Sequence, residues 1–254
     1  MRQRTVALVA LLISLIVAQA GAAKGFGGTS SMDQKPLRIA VAANFKPVLD
    51  ELIEHHPDAS RITVSTGSTG ALTAQVRNGA PYDLLFAADV RRPEYLENLG
   101  LTRTRKTYAF GRLALWQPNA SSVNESSLGA LSTPIAIANP RHAPYGQAAE
   151  DVLQKAGNTR SRRIKGSNVA QAFSFVQTGN VDAGLVALSQ LRYTDVADHT
   201  YWIIPADFHL PIEQQAVVIR GADDRADAFL QFMDSAAART VIERAGYDLV
   251  ARHD

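Results

Sequence analysis

Cysteine is absent from the 254-residue chain. No disulfide can form, and no cysteine can carry a lipid anchor. An excess of either charge is also missing: 26 Lys and Arg stand against 24 Asp and Glu. Setting aside Arg2 and Arg4, which belong to the leader described below, the two signs balance. A neutral chain lacks the clustered positive charge that a nucleic-acid groove or an adhesive membrane surface requires, so no nucleic-acid partner is expected. Histidine is sparse and scattered. His55 and His56 are adjacent on a helix and point apart, and His142, His199, His209 and His253 form no pair at helical zinc spacing, so no metal site and no cofactor are expected. A nucleophile elbow is missing too, because Gly67-Ser68-Thr69-Gly70 lacks the glycine two places before the serine. That argues against a serine-type hydrolase and against an enzyme in general.

The apolar run Val6 to Val17 is too short to span a bilayer. With Arg2 and Arg4 before it and Ala18-Gln19-Ala20 after it, Met1 to Ala23 has the plan of a secretory signal peptide, cleaved after Ala20 or Ala23. The two arginines are not adjacent, which disfavours a twin-arginine route. An exported chain without cysteine fits a Gram-negative periplasm. Lys24 to Lys35, rich in Gly and Ser, reads as a flexible tether. The folded part then begins at Pro36 and holds roughly 220 residues, enough for one large domain or two lobes.

From Pro36 onward, short apolar runs alternate with helical periodicity. Strands are predicted at Leu37 to Ala42, Arg61 to Ser65 and Leu84 to Ala87, and helices at Lys46 to His56, Ala71 to Asn78 and Arg91 to Leu99. The pattern starts afresh after Gly111. Strands follow at Leu113 to Trp116, Ile135 to Ala138, Ile164 to Ser167, Ala183 to Ala187 and Tyr201 to Ile204, with helices at Gln147 to Lys155 and Val169 to Gln177. Glu213 to Ile219 is expected to return to the first lobe, where one helical segment, Arg225 to Ala245, packs. The expected fold is therefore α/β with two lobes, each a mostly parallel sheet flanked by helices. Residues 36–112 with 214–254 form the first lobe, and 113–213 the second.

The stretch Thr66-Gly67-Ser68-Thr69-Gly70 joins a strand to a helix start, where unpaired N–H groups gather at the positive end of a helix dipole. It is either an anion seat or a plain helix cap. Three further loops stand at strand ends: Ala43-Asn44, Pro140 to Gly146 and Ser167-Asn168-Val169. Ligands of open α/β sheets bind at such ends. With two loops from each lobe, a bound ligand would draw the lobes together. Asn44, Ser68, Thr69, Tyr145 and Asn168 are neutral donors, and no Asp or Glu stands at the proposed contacts. Donors without acceptors suit a fully deprotonated tetrahedral dianion, whereas hydrogen phosphate needs an acceptor for its proton. Arg141 and His142 are charged or chargeable neighbours expected to be solvated. Asp83 and Asp89 are assigned to turn and cap roles, and Trp116 and Trp202 to packing.

Five runs, taken in order, carry a resemblance: Ala42-Ala43-Asn44-Phe45, Gly67 to Gly70, Tyr82 to Asp89, Asn139-Pro140 through Tyr145-Gly146, and Ala187 to Gln190. Together they resemble the periplasmic molybdate-binding proteins of ABC importers, over nearly all of Pro36 to Tyr247. The resemblance implies the two-lobed periplasmic binding protein fold of type II, with the oxyanion held between the lobes. It implies contacts from Asn44 with the amide at Ala43, from Ser68, from Tyr145 and from the amide of Val169. One branch of that family carries a serine in the first loop and a tyrosine near the strand that here ends at Ala187. The present chain resembles the other branch, whose tyrosine comes from the Pro144-Tyr145-Gly146 loop. At Ala43 it departs from the pattern, lacking the threonine hydroxyl. Also implied are tungstate as a second ligand, a membrane permease as partner, and a monomer. Sulfate, phosphate or an organic anion in the same cleft is the alternative ligand.

Overall fold

The structure, a computed structural model, describes residues 35–250. The expected leader and most of the tether lie outside the described residues. The chain enters β1 (Leu37–Ala42), α1 (Lys46–Glu54), β2 (Ile62–Gly67), α2 (Thr69–Arg77), β3 (Leu84–Ala87) and α3 (Arg91–Asn98). It continues through β4 (Thr102–Gly111), β5 (Leu113–Trp116), α4 (Glu125–Ala130), β6 (Ile135–Ala138), α5 (Pro144–Lys155), β7 (Arg163–Gly166) and α6 (Val169–Gln177). The last elements are β8 (Ala183–Ala187), α7 (Leu188–Arg192), β9 (Tyr201–Ile203), β10 (Ile212–Ile219), α8 (Arg225–Phe232) and α9 (Ala236–Arg244).

Two five-stranded sheets result, ordered β2-β1-β3-β10-β4 and β7-β6-β8-β5-β9. Within each, the strands of the βα repeats run parallel, and the strands that pass between the sheets add antiparallel pairs at β3–β10 and β5–β8. This is the two-lobed α/β fold expected. Its registers place the loops: Ala42 pairs with Gly67 at the ends of β1 and β2, and Ala138 with Gly166 at the ends of β6 and β7. Each sheet therefore presents two helix-entering loops side by side.

Apolar burial explains the layers. Ile39, Phe45, Leu49, Phe86 and Phe229 fill the first lobe, where Phe45 lies against Phe86 and Tyr108. Leu113, Ile137, Val152 and Leu185 fill the second, and their cluster runs on to Ala42, Ala43 and Ala88 at the strand ends of the first. Trp116 stacks on Phe173 and Trp202 meets Phe208 edge-on, both in packing roles. Asp89 accepts from the Arg92 N–H at the start of α3, the cap role expected, whereas Asp83 serves no local turn and instead accepts from the N–H and guanidinium of Arg38 at the start of β1.

Four local differences from the sequence reading have physical causes. The ten-residue strand β4 was not expected, because its polar stretch Thr102 to Thr107 lies at the sheet edge, where only one neighbour supplies hydrogen bonds. The helix α5 begins at Pro144 rather than Gln147, since proline at the first helical position has no N–H to leave unpaired. Similarly, α2 begins at Thr69 rather than Ala71, capped by Ser68. The expected single helix from Arg225 to Ala245 is two, because the Ser235 hydroxyl accepts from the Ala238 N–H and starts α9 anew.

Candidate functional site

Three helix starts and one strand end converge on a single small cavity. Ser68 and Thr69 open α2, Pro144 and Tyr145 open α5, Asn168 and Val169 open α6, and Ala43-Asn44 follows β1; all eight line a space of about 200 Å³. The five residues singled out from the sequence, Ala43, Asn44, Ser68, Tyr145 and Val169, are thus brought together, and Thr69 and Asn168 join them. Arg141 and His142 do not line it. Among the described residues, no acidic or basic side chain does. The site is therefore walled by neutral groups and by the positive ends of helix dipoles.

Donor by donor, the site separates spent hydrogens from those still available. The Ala43 N–H is spent on the Gly67 carbonyl at 2.9 Å, one step past the β1–β2 ladder. The Asn44 N–H enters no hydrogen bond among the described residues. Of the two roles weighed for Ser68, the helix cap is present: its oxygen accepts from the Ala71 N–H at 3.4 Å at the start of α2, which leaves its own proton to donate. Asn168 caps α6 by accepting from Gln171 at 3.0 Å. Val169, the first residue of that helix, has an N–H with no partner inside the helix. Tyr145 is 2 % exposed, and its hydroxyl interacts with Asn44 and Tyr247 without a hydrogen bond of good geometry to either or to any other of the described residues. A buried hydroxyl left in that state is uncommon and calls for a partner from outside the chain.

The Asn44 side chain is otherwise engaged. Its amide donates to Gln214 Oε1 and to the Tyr247 hydroxyl, each at 2.9 Å. Gln214, fully buried on β10, also accepts from Tyr108 at 3.2 Å. The Asn44 carbonyl accepts from Ser189 at 2.8 Å, and the Tyr247 hydroxyl lies 2.9 Å from that carbonyl and 3.1 Å from Ser189 Oγ. This network ties the first loop to β10, to the C-terminal segment and to the second lobe at α7. Sequence reasoning passed over Gln214 and Tyr247, and gives Tyr108 a packing role only, which its ring fills against Phe45 and Phe86 while its hydroxyl reaches Gln214. A glutamine inside the apolar run of β10 was the signal available.

Burial pushes the phenols of Tyr108 and Tyr145 well above the usual tyrosine value, and that of Tyr247 up to about 12. All three are neutral donors at physiological pH. Unfolded tyrosines ionise near pH 10. Above that pH the unfolded chain has lost protons that the folded chain keeps, so stability falls as pH rises from about 10 to 12. In an alkaline titration followed by phenolate absorbance and circular dichroism, one group of the seven tyrosines should ionise near pH 10 and a lagging group only as helix content is lost. Ionisation of all seven in a chain that stays folded would contradict this assignment.

The lobes meet on both sides of the cavity. Beside α1, the Tyr193 hydroxyl donates to Glu51 at 2.5 Å, and Arg244 pairs with the same carboxylate. Beside α2, the Gly70 N–H donates to the His142 carbonyl at 2.8 Å, and Arg92 donates to the Arg141 carbonyl at 3.1 Å. At the junction of β4 and β5, a Cβ on Gly111 would lie 2.2 Å from the Tyr145 hydroxyl oxygen and 2.7 Å from Gln214 Nε2, so only glycine admits both side chains there. An arrangement of this kind can enclose a small anion and withdraw it from water.

The model of the bacterial extracellular solute-binding protein family matches residues 37–248. The molybdate-binding protein of Azotobacter vinelandii is 38% identical over 227 residues, which cover 84% of this chain and 90% of that protein. The molybdate-binding protein of Rhodobacter capsulatus is 34% identical, covering 82% and 86% respectively. Among solved structures, the periplasmic molybdate-binding protein of Azotobacter vinelandii superposes with a TM-score of 0.79 at 34% identity, over 85% of this chain and all of that one.

Proposed function

The chain belongs to the family of bacterial extracellular solute-binding proteins, and from that premise we propose that it binds molybdate, and tungstate with it, and delivers the ion to the permease of an ABC importer. Its task is capture, not catalysis. The observation that carries the ligand class is the buried Tyr145 hydroxyl without a hydrogen bond of good geometry, in a cavity that offers donors and no acidic side chain. Such a lining rewards an ion that can only accept, and penalises one that must also donate. The room the cavity leaves for a water-sized sphere, about 10 Å³, is far below the pockets of about 300 to 1,000 Å³ that take drug-sized ligands.

In this reading the ion accepts hydrogen bonds from the hydroxyls of Ser68 and Tyr145 and from the backbone N–H groups of Asn44 and Val169, while Ala43 forms wall. The ion's charge is met by helix dipoles and not by a cation. Tungstate, nearly the size and charge of molybdate, fits equally. Sulfate is proton-free as well but smaller. Between rigid donors from two lobes its hydrogen bonds would be stretched or lost, at about 1.5 to 3 kcal/mol for each bond to a charged acceptor. We place residues 1–23 as the leader, the mature chain in the periplasm as a monomer, and the lobe division at 36–112 with 214–254 against 113–213.

Thermal unfolding with molybdate, tungstate, sulfate and phosphate, each at the same millimolar concentration, tests the reading. A ligand at about a thousand times its dissociation constant adds roughly 4 kcal/mol to stability. Large rises with molybdate and tungstate alone are the expected result. An equal rise with sulfate would remove the size argument, and no rise with any of the four would leave the fold without this ligand.

A further inference from the structure

The contact between Gly70 and His142 joins the helix that seats the anion directly to the opposite lobe, backbone to backbone. Gly70 lies in the first turn of α2, immediately after the cavity residues Ser68 and Thr69. Its N–H is one of the donors that a helix start leaves unpaired, and here it is taken by the His142 carbonyl at 2.8 Å. A Cβ at this position would stand 2.9 Å from that oxygen, 3.1 Å from His142 Cα and 3.2 Å from Arg92 Nε. Two of these three atoms are backbone of the second lobe and cannot swing aside. Arg92, held by its ion pair with Asp89, reinforces the same edge by donating to the Arg141 carbonyl.

We propose that Gly70 is a positioning residue that sets the specificity of the anion site: its missing side chain fixes how closely the lobes approach, and so the width of the closed cavity. This rests on the oxyanion reading above. The reasoning is geometric. Ser68 approaches the cavity from the first lobe, and Tyr145 and Val169 from the second, so the distance between the lobes is the distance between opposed donors. An ion large enough to reach both sets gains from each only when the lobes meet at this spacing. A smaller ion is held by one set and gains little from full closure. Any side chain at position 70 should therefore cost the larger ion more than the smaller.

The test is Gly70→Ala, with molybdate and sulfate affinities measured by calorimetry and unfolding of the ligand-free protein measured alongside. Alanine favours helix over glycine, and Gly70 is not among the glycines with positive φ, so α2 itself accepts the substitution and any stability the ligand-free variant loses is confined to the contact with His142. Molybdate affinity should fall at least tenfold while sulfate affinity stays within about threefold, which collapses the ratio between them. An unchanged ratio, whether both affinities hold or both fall together, overturns the proposal. If the variant proves unstable, Arg92→Gln removes the donor to the Arg141 carbonyl without adding an atom at the cavity mouth. A lowered ratio there supports the proposal and an unchanged one overturns it. A parent protein that binds neither ion overturns the oxyanion reading, and this inference with it.

Discussion

Replacing Tyr145 by phenylalanine should weaken molybdate binding about 10- to 100-fold and leave the ligand-free protein as stable as before or more so. The two effects have one origin. The hydroxyl is buried and makes no hydrogen bond of good geometry within the described residues, only weaker interactions with Tyr247 and Asn44, so folding strips it of water and returns little. A buried group in that condition costs about 1 to 3 kcal/mol, and removing it recovers some of that cost. When an oxyanion binds, the same hydroxyl donates to a charged acceptor, a bond worth about 1.5 to 3 kcal/mol. The variant forfeits that bond, and each 1.4 kcal/mol is a factor of ten in affinity. Phenylalanine keeps the ring, so packing against the second-lobe core is retained, and the space vacated beside Gly111 is one oxygen wide. Calorimetric affinity and the urea midpoint of the ligand-free chain should thus move in opposite directions. A lower midpoint with undiminished affinity would mean that the hydroxyl serves the fold, and the ligand assignment would lose its main support.

How far the sequence disclosed this site depends on the range of the interactions concerned. The apolar strands were legible because they follow from local pattern: Leu37 to Ala42 and Leu84 to Ala87 appear as expected, whereas α2 and α5 start two and three residues earlier than their apolar periodicity shows. Their C-terminal loops then fall where parallel register puts them. Long-range pairing was not legible. The partners of the Asn44 side chain stand 170 and 203 residues further along the chain, and nothing in the stretch Ala42 to Phe45 signals that its amide hydrogens are committed. The fate of the Ala43 N–H turned on the β1–β2 register continuing one residue beyond the strands. Edge strand β4 was hidden for a different reason. Its polar alternation from Thr102 to Thr107 reports exposure rather than pairing, and pairing with β10 is what makes it a strand.

Asn44→Ala separates what the resemblance implies for this residue from what its surroundings do with it. As a direct ligand, the side chain would leave binding crippled when removed and the fold largely untouched. As the centre of a buried network, it should behave in the opposite way. Asn44 is 1 % exposed and Gln214 is fully buried. Losing the Asn44 amide strands part of the hydrogen-bonding capacity of Gln214 Oε1 and of the Tyr247 hydroxyl, which keep only Tyr108 on one side and Ser189 with the Asn44 carbonyl on the other. Buried polar groups deprived of a partner cost about 1 to 3 kcal/mol, and two are affected. A loss of roughly 2 to 4 kcal/mol in urea unfolding of the ligand-free chain is therefore expected, a large share of the 5 to 15 kcal/mol typical of a domain. Below the unfolding transition, molybdate affinity should fall less than in Tyr145→Phe, because alanine still offers the backbone N–H at position 44. The reverse pattern, full stability with affinity lost, would return the Asn44 side chain to the ligand and make the network a consequence of closure rather than its support.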